Sequence, residues 1–358
     1  MRILVTGGAG FIGSTLVKSL VATEKFEVLN VDSLTYAGNL CSLKSVESNS
    51  NYFFSQTNIS DLKGIGDLFT KFRPDCVFNL AAESHVDKSI DSPDTFINTN
   101  INGTYNLLKC ALNYFNGLDA EKKSTFKFIH VSTDEVYGTL DEHGKFDEMS
   151  PYRPNSPYSA SKASSDHLVR AWFETFNLPT IVTNCSNNYG PYQLPEKLIP
   201  LMILNAMNGL ELPVYGQGLN IRDWLYVEDH VDALILVMKK GRVGESYNIG
   251  AGNEFRNIDL VRKICNQLDK IIPRKNNKSY QDLIKFVQDR PGHDYRYAID
   301  ASKIKQELGF SPKTSFEHSL EKTIIWYLSN NQWIESVTKP NLTTRQGVIK
   351  DSASPKSL

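Results

Sequence analysis

The first thirteen residues restrict the fold of this chain more than any other segment, because a short apolar run leads directly into a cluster of glycines. Arg2–Thr6 has the composition of a strand, and residues 7–13 contain the spacing G-x-G-x-x-G. Glycines at these positions allow a tight turn, let backbone N–H groups reach a pyrophosphate, and let the next helix pack on the strand. The segment therefore predicts a dinucleotide site at a helix N-terminus.

An acidic residue supports this interpretation. Asp32 ends the second predicted strand, 19 residues after Gly13, where a carboxylate can bind a ribose diol. A carboxylate also repels a 2′-phosphate, and no Arg or Lys occurs between Asp32 and Lys44 to accept one. The sequence thus favours NAD over NADP.

Short β-branched or aromatic runs alternate with longer amphipathic stretches from Arg2 to Asn184. Strands are predicted at 2–6, 27–31, 52–55, 76–80, 126–131 and 180–184, and helices at 11–22, 61–72, 94–116 and 158–176. This alternation is typical of an α/β protein with a Rossmann-type, doubly wound parallel sheet, which binds ligands at the carboxyl ends of its strands.

The chain is too long for one ordinary core, and its rhythm breaks after Asn184. We expect an NAD-binding domain at 1–186 and a smaller α/β substrate-binding domain at 187–335, with some segments interleaved. The clearest helices of the second domain are predicted near 228–240, 257–268 and 316–330. A polar tail is predicted at 336–358.

Composition excludes several function classes. Lys and Arg number 39 against 40 for Asp and Glu, so the net charge of −1 gives no field that would attract nucleic acid or an anionic membrane. No apolar run approaches the roughly 18 residues of a membrane span. The five scattered cysteines indicate a reducing, cytoplasmic location, and the histidine spacing predicts no metal site.

A catalytic pair is predicted at Tyr158 and Lys162, which project from successive turns of one helix. A lysine in this position can lower the pKa of a phenol and make it a base near neutral pH. Tyr105 and Lys109 have the same spacing, but we interpret them as helix surface. Tyr158 differs because Ser132 and Thr133 end a strand in the same predicted crevice as the glycine loop.

Two carboxylates, Asp134 and Glu135, follow Thr133 directly. Like charges in a crevice cost free energy unless one group is protonated. A solvated acidic loop is the simpler interpretation, but an elimination needs both an acid and a base, and these carboxylates would lie beside a hydride cofactor and a Tyr–Lys pair.

Seven segments together resemble one family. They are residues 7–13, 80–87 (LAAESHVD), 132–138 (STDEVYG), 158–162 (YSASK), 184–191 (NCSNNYGP), 220–230 (NIRDWLYVEDH) and 289–293 (DRPGH). The chain resembles the dTDP-glucose 4,6-dehydratases of the extended short-chain dehydrogenase/reductase family over about residues 1–330. The 4-epimerases of this family lack the carboxylates, so Asp134 beside Glu135 is the discriminating feature.

The resemblance implies a reaction. Tyr158 takes the proton of the sugar 4-hydroxyl while C4 loses a hydride to NAD, and Thr133 hydrogen-bonds that oxygen. Glu135 then removes the C5 proton, Asp134 protonates the departing C6 hydroxyl, and the hydride returns to C6. The reaction is a lyase reaction that belongs to deoxysugar synthesis.

The resemblance also implies the ligand contacts. The NAD-binding residues would be Gly7, Gly10, Phe11, Ile12, Gly13, Asp32, Asn58, Ile59, Ala81, Ala82, Ser84, Thr99, Tyr158, Lys162 and Asn188. The sugar nucleotide would contact Ser84, Thr133, Asn187, Lys197, Leu198, Pro213, Tyr215, Arg222, Asn257, Arg290 and His293. Arginines suit a diphosphate because guanidinium contacts are bidentate. The family usually has Asp where Asn58 stands, which predicts weaker adenine binding at most.

Alternatives remain open from the sequence alone. A homodimer is expected through the helices at 94–116 and 158–176. The nucleotide base is unresolved, since thymine and uracil differ by one methyl group, which leaves a UDP-glucose 4,6-dehydratase as a rival. A nucleotide-sugar 4-epimerase is disfavoured by Asp134. A non-catalytic NAD-sensing regulator is disfavoured by the presence of Thr133, Tyr158 and Lys162 together.

Overall fold

The computed structural model of the chain describes residues 1–289 and 292–338. The strands in this part are β1 (Arg2–Thr6), β2 (Glu27–Asp32), β3 (Tyr52–Gln56), β4 (Cys76–Asn79), β5 (Lys127–Thr133), β6 (Thr180–Cys185), β7 (Asn187–Tyr189), β8 (Leu212–Tyr215), β9 (Ile221–Tyr226), β10 (Ser246–Ile249), β11 (Glu254–Arg256) and β12 (Ile284–Val287). The helices are α1 (Phe11–Val21), α2 (Leu62–Phe72), α3 (Val86–Asp91), α4 (Pro93–Phe96), α5 (Thr104–Asn116), α6 (Ala120–Thr125), α7 (Pro157–Phe176), α8 (Leu198–Met207), α9 (Val227–Lys240), α10 (Asn257–Ile271), α11 (Ser302–Leu308), α12 (Phe316–Ser329) and α13 (Asn331–Val337).

Seven strands form one parallel sheet in the order β3-β2-β1-β4-β5-β6-β10. The central strands are almost wholly buried because both faces of the sheet are covered. The order reverses between β1 and β4, and the crevice at such a reversal is where doubly wound sheets bind ligands. The predicted α/β class with a Rossmann-type sheet is confirmed.

Each face of the sheet has its own apolar core. One core lies between the sheet and α1, α9 and α11, and contains Leu16, Val17 and Leu234. The other lies against α2, α5 and α7, and contains Phe69 and Leu107. Two helical layers therefore hold the strand ends in fixed register.

A smaller region packs α8, α10 and α12 around a third core that includes Met202, Ile264 and Tyr327. Its strands form a three-stranded sheet in the order β11-β9-β7 and a parallel pair of β8 and β12. Among the residues that the structure describes, no helix combines the length and apolar character needed to cross a membrane.

Two features differ from the sequence-based expectations. The predicted helix at 94–116 is interrupted by a π-helical turn, Ile97–Gly103, in which Asn100 turns inward and bonds the backbone of Glu83. The helix predicted near 228–240 is α9, but it packs on α1 against the main sheet instead of in the smaller region. It leads into β10, a strand that the sequence analysis missed, because a four-residue edge strand has too little periodic pattern to be recognised.

Candidate active site

A cleft lies over the carboxyl ends of β1, β2, β4, β5 and β6. The predicted site residues that line it are Gly7, Gly10, Phe11, Ile12, Gly13, Asp32, Asn58, Ile59, Ala81, Ala82, Ser84, Thr99, Thr133, Asp134, Glu135, Tyr158, Lys162, Asn187, Asn188 and Lys197. These residues are scattered over almost 200 positions of the chain, and the parallel sheet brings them to one edge.

The glycine loop at one end of the cleft is built for close backbone contact. Gly7 has a φ of +70°, and a Cβ atom there would lie 2.7 Å from the Ala81 nitrogen. A Cβ atom at Gly13 would lie 2.1 Å from the Gly7 carbonyl oxygen. Gly10 precedes α1 without a side-chain cap, so the first N–H groups of this helix are left for an anion. The loop fits a pyrophosphate.

Asp32 lies at the end of β2, held by two backbone groups. Ala9 N–H donates to Oδ2 at 2.9 Å, and Leu34 N–H donates to Oδ1 at 2.8 Å. Burial raises the pKa of this carboxyl, and the two N–H donors oppose that shift. Each oxygen keeps a lone pair, so a fixed carboxylate can still accept hydroxyl groups of a ribose.

Asn58 follows β3 and forms a local turn, with its Oδ1 accepting the Ser60 N–H at 2.8 Å. The amide oxygen that was expected to meet adenine therefore already holds the loop, although a second lone pair remains. Thr99, on the π-helical turn, also lines this end of the cleft.

The two carboxylates begin a 3₁₀ turn, Asp134–Tyr137, directly after β5. Thr133 Oγ1 accepts the Glu135 N–H at 3.3 Å and lies 3.3 Å from Asp134 Oδ1. Asp134 is 1% exposed, and its Oδ2 is buried with no hydrogen-bond partner among the described residues. Burial, together with the charges of Glu135 and Asp223, raises the pKa of Asp134 well above its usual range. This raised pKa favours the neutral, proton-donating form of Asp134, and the burial behind it does not fit the solvated-loop alternative.

Tyr158 lies in the first turn of α7, which a reciprocal hydrogen-bond pair between Ser156 and Ser159 fixes in place. It is buried close to the Thr133 side chain. Lys162 is 4% exposed, and its Nζ donates to the Val131 carbonyl at 2.8 Å. The sheet therefore brings the predicted Tyr–Lys pair to the two carboxylates.

Lys162 and the nicotinamide charge are expected to lower the Tyr158 pKa together. Burial and the nearby charge of Glu135 instead raise the pKa of this phenol well above its usual value. Burial also lowers the pKa of Lys162, which weakens its hold on a proton. Protein groups alone thus leave Tyr158 protonated, and its use as a base requires a further positive charge in the cleft.

Part of the predicted sugar-nucleotide set lies at the rim of the same cleft. Lys197 Nζ donates to the Ser84 carbonyl at 3.2 Å. Asn188, which was predicted to contact NAD, lies nearby with its Oδ1 2.9 Å from His230 Nδ1. Asn187 follows β6 at the same edge.

The structure places the remaining predicted contacts outside the lining of this cleft. They are Leu198 at the start of α8, Pro213 and Tyr215 on β8, Arg222 on β9, Asn257 at the start of α10, and His293. His293 Nδ1 lies 2.7 Å from Asp289 Oδ1, and its ring meets that of Tyr215 edge to face. Arg290 lies outside the described residues.

Arg222 differs most from the expected free diphosphate ligand. Its guanidinium is buried and donates to the carbonyls of Ile221, Asp294 and Tyr295 at 2.7–3.3 Å, while it stacks 4.2 Å from the Tyr297 ring centre. The sequence alone does not predict the contacts with Asp294 and Tyr295, because these residues lie about 70 positions further along the chain. The charge of Arg222 nevertheless reaches the site, where it acts to lower the pKa of Asp134.

Sequence reasoning did not assign Cys185 and Glu196, which also line the cleft. The Glu196 side chain is buried and lies 3.4 Å from Lys88 Nζ. Lys88 Nζ also stands 3.4 Å from the ring centre of Tyr36. Glu196 precedes the predicted site residue Lys197 and could have been recognised from that position. A charged side chain is rarely buried without a partner.

The glycine loop, the acidic residue after β2 and the Tyr–Lys pair define a Rossmann-fold enzyme of the extended short-chain dehydrogenase/reductase class. Comparison with known proteins makes this specific. The family described as GDP-mannose 4,6 dehydratase matches residues 4–323. A probable dTDP-glucose 4,6-dehydratase of Sinorhizobium fredii is 58% identical over 93% of this chain and 94% of its own. The dTDP-glucose 4,6-dehydratase 1 of Escherichia coli K12 is 56% identical over 94% and 95%.

A solved structure agrees with these relatives. The dTDP-glucose 4,6-dehydratase of Bacillus anthracis, crystallised in complex with NAD, is 44% identical and superimposes with a TM-score of 0.83. The match covers 94% of this chain and 100% of that one. The chain belongs to the dTDP-glucose 4,6-dehydratase family.

Proposed function

We propose that this protein is an NAD-dependent hydro-lyase that converts dTDP-glucose to dTDP-4-keto-6-deoxyglucose and water. The observation that carries the proposal is the buried Asp134, whose raised pKa favours the protonated form, in one cleft with Glu135 and Tyr158. An acid and a base that lie next to an alcohol-oxidising pair are what an elimination following oxidation requires. The high identity to dTDP-glucose 4,6-dehydratases supports the same conclusion.

The cleft fits NAD. The uncapped N-terminus of α1 suits the pyrophosphate, Asp32 suits the adenine ribose, and the crowding at Gly13 leaves room for backbone contact only. When bound, NAD supplies a positively charged nicotinamide that takes a hydride from the sugar and later gives it back.

Tyr158 and Thr133 act first. With its own proton lost to solvent, the Tyr158 phenolate oxygen, next to the Thr133 side chain, takes the proton from the sugar 4-hydroxyl as C4 becomes a ketone. Lys162, protonated and next to the same strand end, adds a positive charge that favours the phenolate. The 4-ketone then acidifies the proton on C5.

Glu135 and Asp134 complete the elimination. Glu135 removes the C5 proton, and Asp134 donates its proton to the C6 hydroxyl, which leaves as water. Asp134 can do this near neutral pH because burial and the charge of Glu135 keep it protonated. Addition of hydride to C6 and a proton to C5 then gives the 6-deoxy-4-ketone, with Glu135 returning the proton.

We also infer that the smaller region, built largely from residues 187–335, binds the nucleotide diphosphate. Tyr215 and His293 form an aromatic wall that suits a base, and Arg222 orders the backbone beside it. The relative rate with dTDP-glucose and UDP-glucose tests the choice of base. A faster reaction with UDP-glucose would replace the thymine assignment.

We propose a homodimer through α5 and α7. Ile97 and Tyr105 are 51% and 40% exposed, and the Tyr105 ring packs on Trp172, which in turn contacts the exposed Phe176. The charged substitution Tyr105→Glu should give a monomer in sedimentation analysis, whereas Met149→Glu, at another exposed apolar residue, should not.

We also propose that the protein is located in the cytoplasm, because its free cysteines fit a reducing compartment.

Isotope transfer tests the reaction itself. Deuterium placed at C4 of the substrate should appear at C6 of the same molecule, and the C5 hydrogen should come from solvent. A mixture of labelled and unlabelled sugar should show no crossover, because the closed site excludes exchange. A 4-epimer as product, an unchanged substrate, or net release of NADH would each overturn the proposal.

A further inference from the structure

A buried polar cluster lies next to Lys162 and takes no part in the steps above. Asp166 follows Lys162 by four residues on α7, as Lys162 follows Tyr158, so the three side chains project from successive turns. Asp166 is 2% exposed. Burying either an ammonium or a carboxylate is costly unless an opposite charge or several hydrogen bonds compensate.

His130 lies between the two charges. Its Nε2 is 3.4 Å from Lys162 Nζ and 3.2 Å from Asp166 Oδ1. Burial, followed by the charge of Lys162, lowers the pKa of His130 to about 4, so the ring is neutral near pH 7. The position of its single proton then decides what the ring can do.

The surrounding hydrogen bonds assign that proton. The Thr6 hydroxyl donates to Asn79 Oδ1 at 2.8 Å, since Thr6 Oγ1 itself accepts the Ala81 N–H. The Asn79 amide nitrogen therefore donates to His130 Nδ1 at 3.0 Å. Nδ1 is the acceptor, so Nε2 carries the hydrogen and lies 3.2 Å from Asp166 Oδ1, a close polar contact that does not reach hydrogen-bond geometry.

The second oxygen of Asp166 collects further donors. Ser132 Oγ, the Tyr152 hydroxyl and Asn184 Nδ2 lie 2.7, 3.1 and 3.3 Å from Oδ2. These hydrogen bonds compensate for the burial of the Asp166 carboxylate. Asn184 Nδ2 also lies 3.2 Å from the Thr133 carbonyl oxygen, which ties the cluster to the catalytic strand end.

We propose that Asp166, held by His130, is a positioning residue that serves as the buried counter-charge of Lys162 and keeps its ammonium charged beside Tyr158. The inference rests on the proposed function, in which Lys162 must be protonated while Tyr158 accepts its proton. Asp166 is the carboxylate whose charge raises the pKa of Lys162 against the effect of burial. Other titratable groups around the cluster are Cys185, Tyr158, Asp134, Tyr137 and Tyr152.

A double-mutant cycle on stability tests the pairing without relying on catalysis. Asp166→Asn, Lys162→Met and the double variant are unfolded with denaturant at saturating NAD. Each single change leaves one buried charge without its partner, so the double variant should have a higher midpoint than Asp166→Asn. The proposal would be overturned if the losses of stability in the two single variants simply add in the double variant. It would also be overturned if both Asp166→Asn and the double variant fail to fold.

The pH profile gives a second readout that a purely structural role would not move. In Asp166→Asn, Lys162 should lose its proton at lower pH, which moves the alkaline limb of kcat down by about 1–3 pH units. Tyr152→Phe removes one hydrogen bond to the same carboxylate but keeps its charge, so its limb should stay in place. An unmoved limb in Asp166→Asn, or equal movement in both variants, would contradict the proposal. Failure of wild-type turnover would reject the proposed function and leave the unfolding cycle to decide this inference.

Discussion

The two halves of the proposed binding site are assembled in different ways. The cofactor half is formed by residues directly after β1, β2, β4 and β5, neighbouring parallel strands of one sheet. The half proposed for the sugar nucleotide lies largely outside the lining of the cleft and draws on β8, β9, the start of α10 and the segment around His293, which belong to two small sheets and their connections. In the first half, the parallel sheet determines where the binding residues lie. In the second half, contacts between loops that are distant in sequence determine it.

Because of this difference, the two halves should tolerate substitutions to different degrees. Backbone groups and crowded glycines form the cofactor half, so a single added carbon atom should be harmful there. Side chains that are already hydrogen-bonded to carbonyl groups form much of the other half, as Arg222 shows. Substitutions there should weaken binding by degrees.

The largest effect is expected at Gly13. An alanine Cβ would lie 2.1 Å from the Gly7 carbonyl oxygen, so Gly13→Ala must displace the loop and should yield protein without bound NAD. Acid extraction of the purified protein measures this, because wild type should retain NAD through purification. Gly66→Ala is the matched control. Gly66 lies inside helix α2, and the nearest atom to a Cβ added there would be Cys110 Sγ, 3.9 Å away. Retention of NAD by Gly13→Ala would show that the loop does not set the cofactor position.

The next effect separates the catalytic groups within the cofactor half. Tyr158→Phe should reduce oxidation at C4 by about 10²- to 10⁴-fold, since it removes the base. Glu135→Gln and Asp134→Asn should leave that oxidation largely intact and block the elimination. Rapid mixing with dTDP-glucose should therefore build up reduced-nicotinamide absorbance in these two variants only. Identical behaviour of all three variants would invalidate the division of roles.

The cofactor half could be predicted from sequence because each of its motifs lies next to a recognisable strand. Knowing that 2–6, 27–31 and 126–131 are parallel strands is enough to bring Gly7, Asp32 and Thr133 to one edge. The burial of these side chains, and the pKa shifts that follow from it, could not be predicted from the sequence in the same way. The raised pKa of Asp134 depends on its burial and on the charges of Glu135 and of Asp223, which lies almost 90 residues later, and the raised pKa of Tyr158 depends on its full enclosure.

The sugar-nucleotide half was predicted only as a set of residues. The resemblance supplied Arg222 and His293, but no periodic pattern indicates that Arg222 bonds Asp294 and Tyr295 or that His293 bonds Asp289. The strand β10 and the π-helical turn escaped prediction for a related reason. Both depend on tertiary neighbours more than on local sequence.

A moderate effect is expected at Arg222. Lysine keeps the charge but cannot serve three carbonyl groups at once, so Arg222→Lys should loosen the segment near Asp294 and raise the KM for the sugar nucleotide about tenfold. Bound NAD should not change. Arg256→Lys, on an exposed position at the end of β11, is the control. Loss of NAD from Arg222→Lys would mean that the two halves are not separable.

The smallest effect is expected at Asn58, where the cofactor half departs from the usual family residue. Its Oδ1 already accepts the Ser60 N–H, and an Asp side chain could make the same bond. Charge-assisted hydrogen bonds are roughly twice as strong as neutral ones, so Asn58→Asp should slow NAD release by only about two- to fivefold. Asn58→Ala, which loses the bond to Ser60 as well, should release NAD faster than wild type. The rate of NAD loss after dilution measures both. Faster release from Asn58→Asp would show that the amide nitrogen of Asn58, and not its oxygen, faces the adenine, and that even the strand-end half of the cleft contains a contact that only tertiary packing decides.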